Sequence, residues 1–142
     1  MTSTKRIILI TGSRDVPDVR AAFDQAREWL EFELSLHPPK DILVIHGAAQ
    51  GWDTVWNDVG LSLGVHVKAC PAEDYADPLA RNQAMVDLVV ELGNKYPSFP
   101  TCWAFARTWA SGTGHCARRA RKAGIPTTDF GVPTDVESKK ER

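Results

Sequence analysis

Cysteine is scarce and irregularly spaced in this chain. Among the 142 residues only Cys70, Cys102 and Cys116 occur, an odd number with no C-x-x-C pair. A disulfide framework needs an even set, and the common zinc sites use closely spaced cysteine pairs. The sequence therefore predicts reduced thiols in a cytoplasmic protein, with no metal site.

The chain also lacks a long hydrophobic run and an excess of charge of either sign. The N-terminal apolar run, residues 7–10, is far shorter than a signal-peptide core or a membrane span. The 17 cationic and 18 anionic side chains give a formal net charge of -1. No global field then attracts nucleic acid or an anionic membrane, so we expect neither as a partner.

The length and composition suit one packed core. The 142 residues are 43% hydrophobic, which is enough for a single domain and rarely enough for two. We expect one domain over residues 1–133. The charged segment 134–142 is expected to be a disordered tail.

Short apolar runs alternate with helical patterns along the chain. Isoleucine and leucine fill residues 7–10 without interruption, which is typical of a strand buried on both faces. A loop is expected over residues 93–100, between the third helix and the fourth strand. The five expected strands are residues 7–10, 42–45, 65–70, 101–106 and 126–130.

This alternation predicts an α/β fold. Strands joined by helices form a mainly parallel sheet with right-handed crossovers, so we expect a three-layer Rossmann-like domain. The expected strand order is 3-2-1-4-5, with residues 7–10 in the centre. Ligands of such sheets bind beyond the carboxyl ends of the strands, where the strand order reverses.

Three glycine-bearing turns each lie between an expected strand and an expected helix. The first glycine turn is residues 11–15, the second is 46–51, and the third is 111–114. A turn of this kind presents backbone N–H groups to a ligand, and the helix dipole favours an anion there. The three turns therefore predict one site for a phosphate-bearing small molecule.

The first glycine turn offers a backbone approach and a cation. Gly12 and Ser13 would let the chain come close to a phosphate, while Arg14 could donate a bidentate guanidinium contact. The alternative is an ordinary turn with a solvated Arg14. In the second turn, Gly47 and Gly51 would bring the backbone close to the ligand in the same way.

Two titratable residues beside the second glycine turn have open roles. Asp53 stands at an expected helix start, where an aspartate cap is preferred over a ligand contact or a base. His46 ends a buried strand and is expected either to bind the ligand or to be a structural histidine with satisfied hydrogen bonds.

Further candidates lie on the third and fourth helices. Arg81 could reach a phosphate and Asn82 a ribose or base edge, the alternative being a solvated helix face. In the third glycine turn, small residues, a hydroxyl and a helix N-terminus form the best phosphate site in the chain. Its residues are Ser111, Gly112, Thr113 and Gly114. Trp52 and Trp109 are the tryptophans that could stack on a base.

Several short segments carry a resemblance to a known family. They are residues 10–14, residues 46–53, Arg81-Asn82 with Met85, and Gly112-Thr113 followed by residues 123–126. With them the chain resembles the YspA/YpsA-related branch of the SLOG superfamily over about residues 6–127. The resemblance implies a Rossmann-like domain of bacteria or phages that binds nucleotides or their derivatives, in nucleotide signalling. It also implies a possible homodimer and no separate cofactor.

The superfamily also contains enzymes and DNA-binding proteins. The Lonely guy phosphoribohydrolases cleave nucleoside monophosphates with a Gly-Thr-x-x-Glu motif, but here Cys116 stands in place of that glutamate. A thiol of ordinary pKa neither activates water nor stabilises an oxocarbenium ion well, which weakens the case for this enzyme activity. Asp15 or Asp53 could replace the glutamate, so phosphoribohydrolase activity is kept as the alternative function. Single-stranded DNA binding, as in the DprA proteins, is less expected because the charge is near neutral.

Overall fold

A computed structural model describes residues 4–105 and 112–130, and its centre is a five-stranded parallel sheet in the order β3-β2-β1-β4-β5. The strands are β1 (Lys5–Gly12), β2 (Ile42–His46), β3 (His66–Ala69), β4 (Ser98–Phe105) and β5 (Thr127–Asp129). The helices are α1 (Val19–Leu36), α2 (Trp52–Ser62), α3 (Pro78–Lys95) and α4 (Gly112–Lys122). The predicted α/β class and strand order are confirmed.

The central strand β1 divides the core into two layers. Ile8 and Ile10 pack against α1 and α2, whereas Ile7 and Leu9 pack against α3 and α4. All four side chains are at most 1% exposed. Because successive residues of a strand point to opposite faces, covering both faces requires the uninterrupted apolar run.

Local signals fix the starts of two long helices. Asp18 accepts a hydrogen bond from the Ala21 N–H at 3.0 Å and caps α1. Asp77 accepts one from the Ala80 N–H at 2.7 Å and caps α3, whose first residue is Pro78. Side-chain caps satisfy amides that the helix itself leaves unpaired. Near the start of α3, Arg81 donates from Nη1 to the carbonyl of Cys70, the residue that follows β3.

The expected loop over residues 93–100 is wrong. Helix α3 continues to Lys95, and β4 begins at Ser98, which pairs with Lys5. Pairing along the whole length of β1 outweighs the turn signal of Pro100. Strand β5 pairs only with residues 102–104, so Pro100 has a strand on one side, where its missing N–H is tolerated.

Some predictions fall on residues that the structure does not describe. These are Ser111, Trp109, the end of the fourth expected strand at residue 106, and the tail 134–142. Within residues 4–105 and 112–130, no helix has the length and apolar character needed to cross a membrane. Over the same ranges, no group of three or more His, Cys, Asp or Glu side chains is placed to hold a metal ion.

Candidate ligand-binding site

A cavity of about 690 Å³ lies beyond the carboxyl ends of β1 and β2, and we call it the main cavity. It is bordered by the first glycine turn, the second glycine turn, the start of α3 and the start of α4. The structure thus brings together segments that are distant in sequence. They meet at the carboxyl ends of the strands, the end of the sheet at which the strand order predicts a ligand.

Most of the predicted site residues line this cavity. They are Gly12, Ser13, Arg14, Gly47, Asp53, Arg81, Asn82, Gly112 and Thr113. His46, Gly51 and Gly114 are not among the lining residues. Glu73 lines the cavity from a short 3-10 turn, Ala72–Asp74, and no motif in the sequence pointed to it.

The amides of the second glycine turn are already occupied by buried side chains. The N–H groups of Gly47 and Ala49 both donate to Oδ2 of Asp53, at 3.0 and 3.3 Å. Between them, the Ala48 N–H donates to Nδ1 of His46 at 2.9 Å. The expectation that this turn offers its N–H groups to an anion is therefore wrong for residues 47–49.

The role of Asp53 also differs from the preferred expectation. The N-cap of α2 is Gly51, which makes no side-chain cap, and Asp53 lies inside the first turn of the helix. Its carboxylate folds back onto the preceding turn instead of capping the helix. An aspartate next to a helix start has the same sequence pattern in both arrangements, so the sequence could not separate them.

His46 is a structural histidine. Because Nδ1 accepts the Ala48 amide, the neutral ring carries its proton on Nε2, which donates to Oδ1 of Asn57 at 2.9 Å. Burial lowers the pKa of His46 below its usual range, although the Asn57 hydrogen bond opposes this. Both ring nitrogens are used within the protein, which leaves none for a ligand.

Three glycines of the first two glycine turns pack closely against other parts of the protein. A Cβ at Gly12 would overlap Cβ of Trp52, and one at Gly47 would lie 2.6 Å from Nη1 of Arg81. Gly51 has a φ of +89° and packs against the backbone of the first glycine turn. At Gly112, in contrast, no heavy atom of residues 4–105 or 112–130 lies within 4 Å of an added Cβ.

Trp52 packs in the core. Its side chain is 4% exposed and stacks on Phe105, with ring centroids 4.3 Å apart and an interplanar angle of 11°. The closeness of Trp52 to Gly12 explains why the first glycine turn has no room for a side chain there. A role for Trp52 in stacking on a base is therefore wrong.

Asp53 has an unusual electrostatic environment. Its side chain is 4% exposed, and Oδ1 is buried without a hydrogen-bond partner among the residues that the structure describes. Burial raises its pKa from 3.8 to about 7, while the amides of Ala49 and Gly47, the Arg81 guanidinium and the Gly12 amide oppose the rise. Asp53 is thus a carboxyl that changes charge near neutral pH beside the main cavity.

Arg81 and Asn82 connect the elements around the cavity. Arg81 donates from Nη1 to the carbonyls of Gly47 and Cys70, and from Nε to Oδ1 of Asn82 at 3.1 Å. Asn82 in turn donates from Nδ2 to the Gly112 carbonyl at 3.1 Å and lies 3.2 Å from Nδ1 of His115. No pattern in the sequence points to His115, because its partner Asn82 is 33 residues away in the chain.

The start of α4 is the part of the cavity best suited to an anion. Gly112 is exposed, Thr113 lines the cavity, and the first turn of α4 contains no acidic residue. The dipole of a helix favours negative charge at its N-terminus. The first glycine turn contributes less, since Ser13 N–H donates to the Phe105 carbonyl and Asp15 N–H to Oγ of Ser13, each at 3.1 Å.

The glycine contacts predict that substitution by alanine has different effects on stability at Gly12 and at Gly112. Gly12→Ala forces a methyl group into Trp52 and is expected to lower the free energy of unfolding by about 1 to 3 kcal/mol. Gly112→Ala is expected to change it by less than about 1 kcal/mol, because the added methyl group enters open space. Urea denaturation of both variants measures the difference; equal losses would contradict the packing described.

The burial of Asp53 predicts a pH-dependent stability. Between pH 4 and 7 the carboxyl is ionised in the unfolded chain but still protonated in the folded chain. The free energy of unfolding of the wild-type protein therefore decreases as pH rises through this range. Asp53→Asn does not titrate. From pH 5 to 8, the stability of Asp53→Asn relative to wild type should therefore rise by on the order of 2 to 3 kcal/mol.

Urea denaturation of both proteins at several pH values measures this change. The difference between the two proteins cancels the titration of all other groups. A difference that stays constant across the range would mean that Asp53 titrates as an ordinary carboxyl.

The chain is similar to a known phage protein. No family model matches the chain. The chain is 30% identical over 135 residues to the Gene 61 protein of Mycobacterium phage D29, and the match covers 89% of this chain and 97% of that protein. Identity at this level over nearly the full length of both proteins indicates common descent. The chain belongs to the same family as the phage D29 Gene 61 protein.

Proposed function

We propose that this protein binds a nucleotide or a nucleotide-derived phosphorylated ligand in the main cavity, for recognition, sensing or sequestration. The observation that carries the proposal is the start of α4. There Gly112 leaves open space at a helix N-terminus that borders a cavity also lined by Arg14 and Arg81.

The charges on the cavity wall support a ligand with two kinds of group. Arg14 and Arg81 are cationic, whereas Asp15 and Glu73 bring carboxylates to the same wall. A phosphate suits the guanidinium groups and the helix start, while hydroxyl or amino groups suit the carboxylates. A nucleoside monophosphate carries both, and inorganic phosphate carries only the first.

The size of the cavity supports the same ligand class. Small-molecule sites have volumes of about 300 to 1,000 Å³. At about 690 Å³ the main cavity lies within this range and leaves room for a sugar and a base beside the phosphate. The resemblance to the SLOG superfamily, whose members bind nucleotide-derived ligands, points in the same direction.

Binding without hydrolysis is the proposed activity. Cys116, at the position of the Lonely guy glutamate, is fully buried, and burial raises its pKa to about 12. A thiol that stays protonated at neutral pH cannot replace a carboxylate that activates water or stabilises an oxocarbenium ion. Asp15 and Asp53, the carboxyls that could replace this glutamate, also line the main cavity, so phosphoribohydrolase activity is the alternative function.

Calorimetric titration with the common nucleoside monophosphates and ribose 5-phosphate tests the proposal. Gly112→Val should weaken binding at least about tenfold, because its side chain occupies the space expected for the phosphate. The thermal midpoint should change little. Gly93→Val is the matched control: this glycine lies in α3, away from the cavity lining, with its nearest neighbour at an ordinary contact distance.

Two results would contradict the proposal. One is that none of these compounds binds the wild-type protein. The other is that Gly112→Val binds as tightly as Gly93→Val. Chromatography of the same mixtures after incubation separates binding from hydrolysis, because free base accumulates only if the N-glycosidic bond is cut.

A further inference from the structure

Glu73 is an exposed carboxylate on the wall of the main cavity. It lies in the 3-10 turn Ala72–Asp74, which follows β3 and packs against α3. Within residues 4–105 and 112–130, its side chain has no hydrogen-bond or ion-pair partner. The carboxylate oxygens of Glu73 are therefore available to a ligand in this cavity.

Arg14 is the matching free cation on the same wall. Its exposed guanidinium likewise has no partner in the described part of the chain. In contrast, Arg81 donates to the carbonyls of Gly47 and Cys70. Since Arg14 and Glu73 form no salt bridge, their charged atoms are more than 4.0 Å apart. A ligand that carries an anionic group and separate hydrogen-bond donors can contact both side chains at once.

Glu73 and the start of α4 border the cavity at the ends of different strands. Glu73 follows β3, whereas Gly112 begins the helix that follows β4. Strands β2 and β1 lie between these two strands. Neighbouring strands are ~4.8 Å apart, so β3 and β4 are separated by about 14 Å. A phosphate at the start of α4 would therefore leave Glu73 near the part of the ligand that is remote from the phosphate, which in a nucleotide is the outer edge of the base.

We propose that Glu73 binds the base of the ligand and selects guanine. This inference rests on the proposed function, because it identifies the base of the nucleotide that binds in the main cavity. A carboxylate only accepts hydrogen bonds, through two oxygens that lie side by side. Guanine presents two neighbouring donors on its outer edge, the N1–H and the 2-amino group, so both oxygens of Glu73 can accept at the same time.

The other common bases match a carboxylate less well. Adenine and cytosine each present one amino group beside a ring nitrogen that only accepts, and uracil presents one N–H between two carbonyls. The second oxygen of Glu73 would then face a lone pair, and a polar group left without a partner lowers affinity. Glu73 thus discriminates between bases by the number of adjacent donors.

Ribose hydroxyl groups are the other donors that a carboxylate could bind. They are closer to the phosphate than the outer edge of the base is, so the separation of β3 from β4 favours the base as the partner of Glu73. Ribose 5-phosphate carries these hydroxyl groups without a base. It therefore separates a contact to the sugar from a contact to the base.

Calorimetric titration at pH 7 with a graded set of ligands tests the inference. The probes are guanosine, inosine and adenosine 5′-monophosphates together with ribose 5-phosphate. We expect wild type to bind the guanosine compound at least about tenfold more tightly than the adenosine compound. The inosine compound should lie between them, because it keeps the N1–H but lacks the 2-amino group.

Glu73→Gln changes the hydrogen-bonding pattern without changing the size of the side chain. Its amide offers one acceptor and one donor, which fit the edge of adenine as well as that of guanine, so the two affinities should come within about threefold of each other. The affinity for ribose 5-phosphate should stay unchanged. Asp74→Asn is the matched control, because it removes the same charge from an exposed neighbour that does not line the cavity, and it should keep the wild-type preference.

The possible failures are distinguishable. If none of the four compounds binds wild type, the proposed function fails and this inference with it. If they bind but the preference of wild type for guanosine over adenosine is less than about tenfold, only the inference is overturned. It is also overturned if Glu73→Gln keeps the same preference as Asp74→Asn, or if Glu73→Gln weakens ribose 5-phosphate as much as the guanosine compound, since Glu73 would then bind the sugar.

Discussion

The hydrogen bonds from the Gly47 and Ala49 amides to Asp53 are the constraint on which the candidate site depends. They draw the second glycine turn onto the first turn of α2 and leave Oδ1 without a partner. The same turn then lies where Arg81 can donate to the Gly47 carbonyl. An ionised carboxyl is unfavourable in this buried position, so the stability of this part of the cavity wall depends on whether Asp53 is protonated.

The three glycine turns look alike in sequence, but they have different roles in the structure. The second turn is closed by its own side-chain contacts, and the first packs tightly against Trp52 at Gly12. Among the described parts of the three turns, Gly112 at the start of α4 is the glycine with open space around it. Two neighbouring residues of α3 connect these turns. Arg81 donates to the Gly47 carbonyl, and Asn82 donates to the Gly112 carbonyl. The start of α4 is therefore the part of the main cavity at which we propose that the ligand's anionic group binds, and the other two turns form its walls.

The sheet could be predicted because short apolar runs such as residues 7–10, rich in isoleucine and followed by turn residues, alternate with helical patterns along the chain. The same order predicted which segments meet at the cavity. Contacts between distant residues could not be predicted. Pro100 signalled a turn, yet pairing with β1 makes it part of β4. Asp53 had the pattern of a helix cap, and only the path of the backbone shows that it accepts amides from residues 47 and 49.

The central claim is that an anion binds at the start of α4 while the amides of the second glycine turn stay bonded to Asp53 and His46. Amide NMR during titration with adenosine 5′-monophosphate tests it residue by residue. We predict the largest chemical-shift changes at Gly112 and Thr113, with Gly47, Ala48 and Ala49 remaining protected from hydrogen exchange. The largest changes at residues 47–49, with loss of their protection, would contradict the claim.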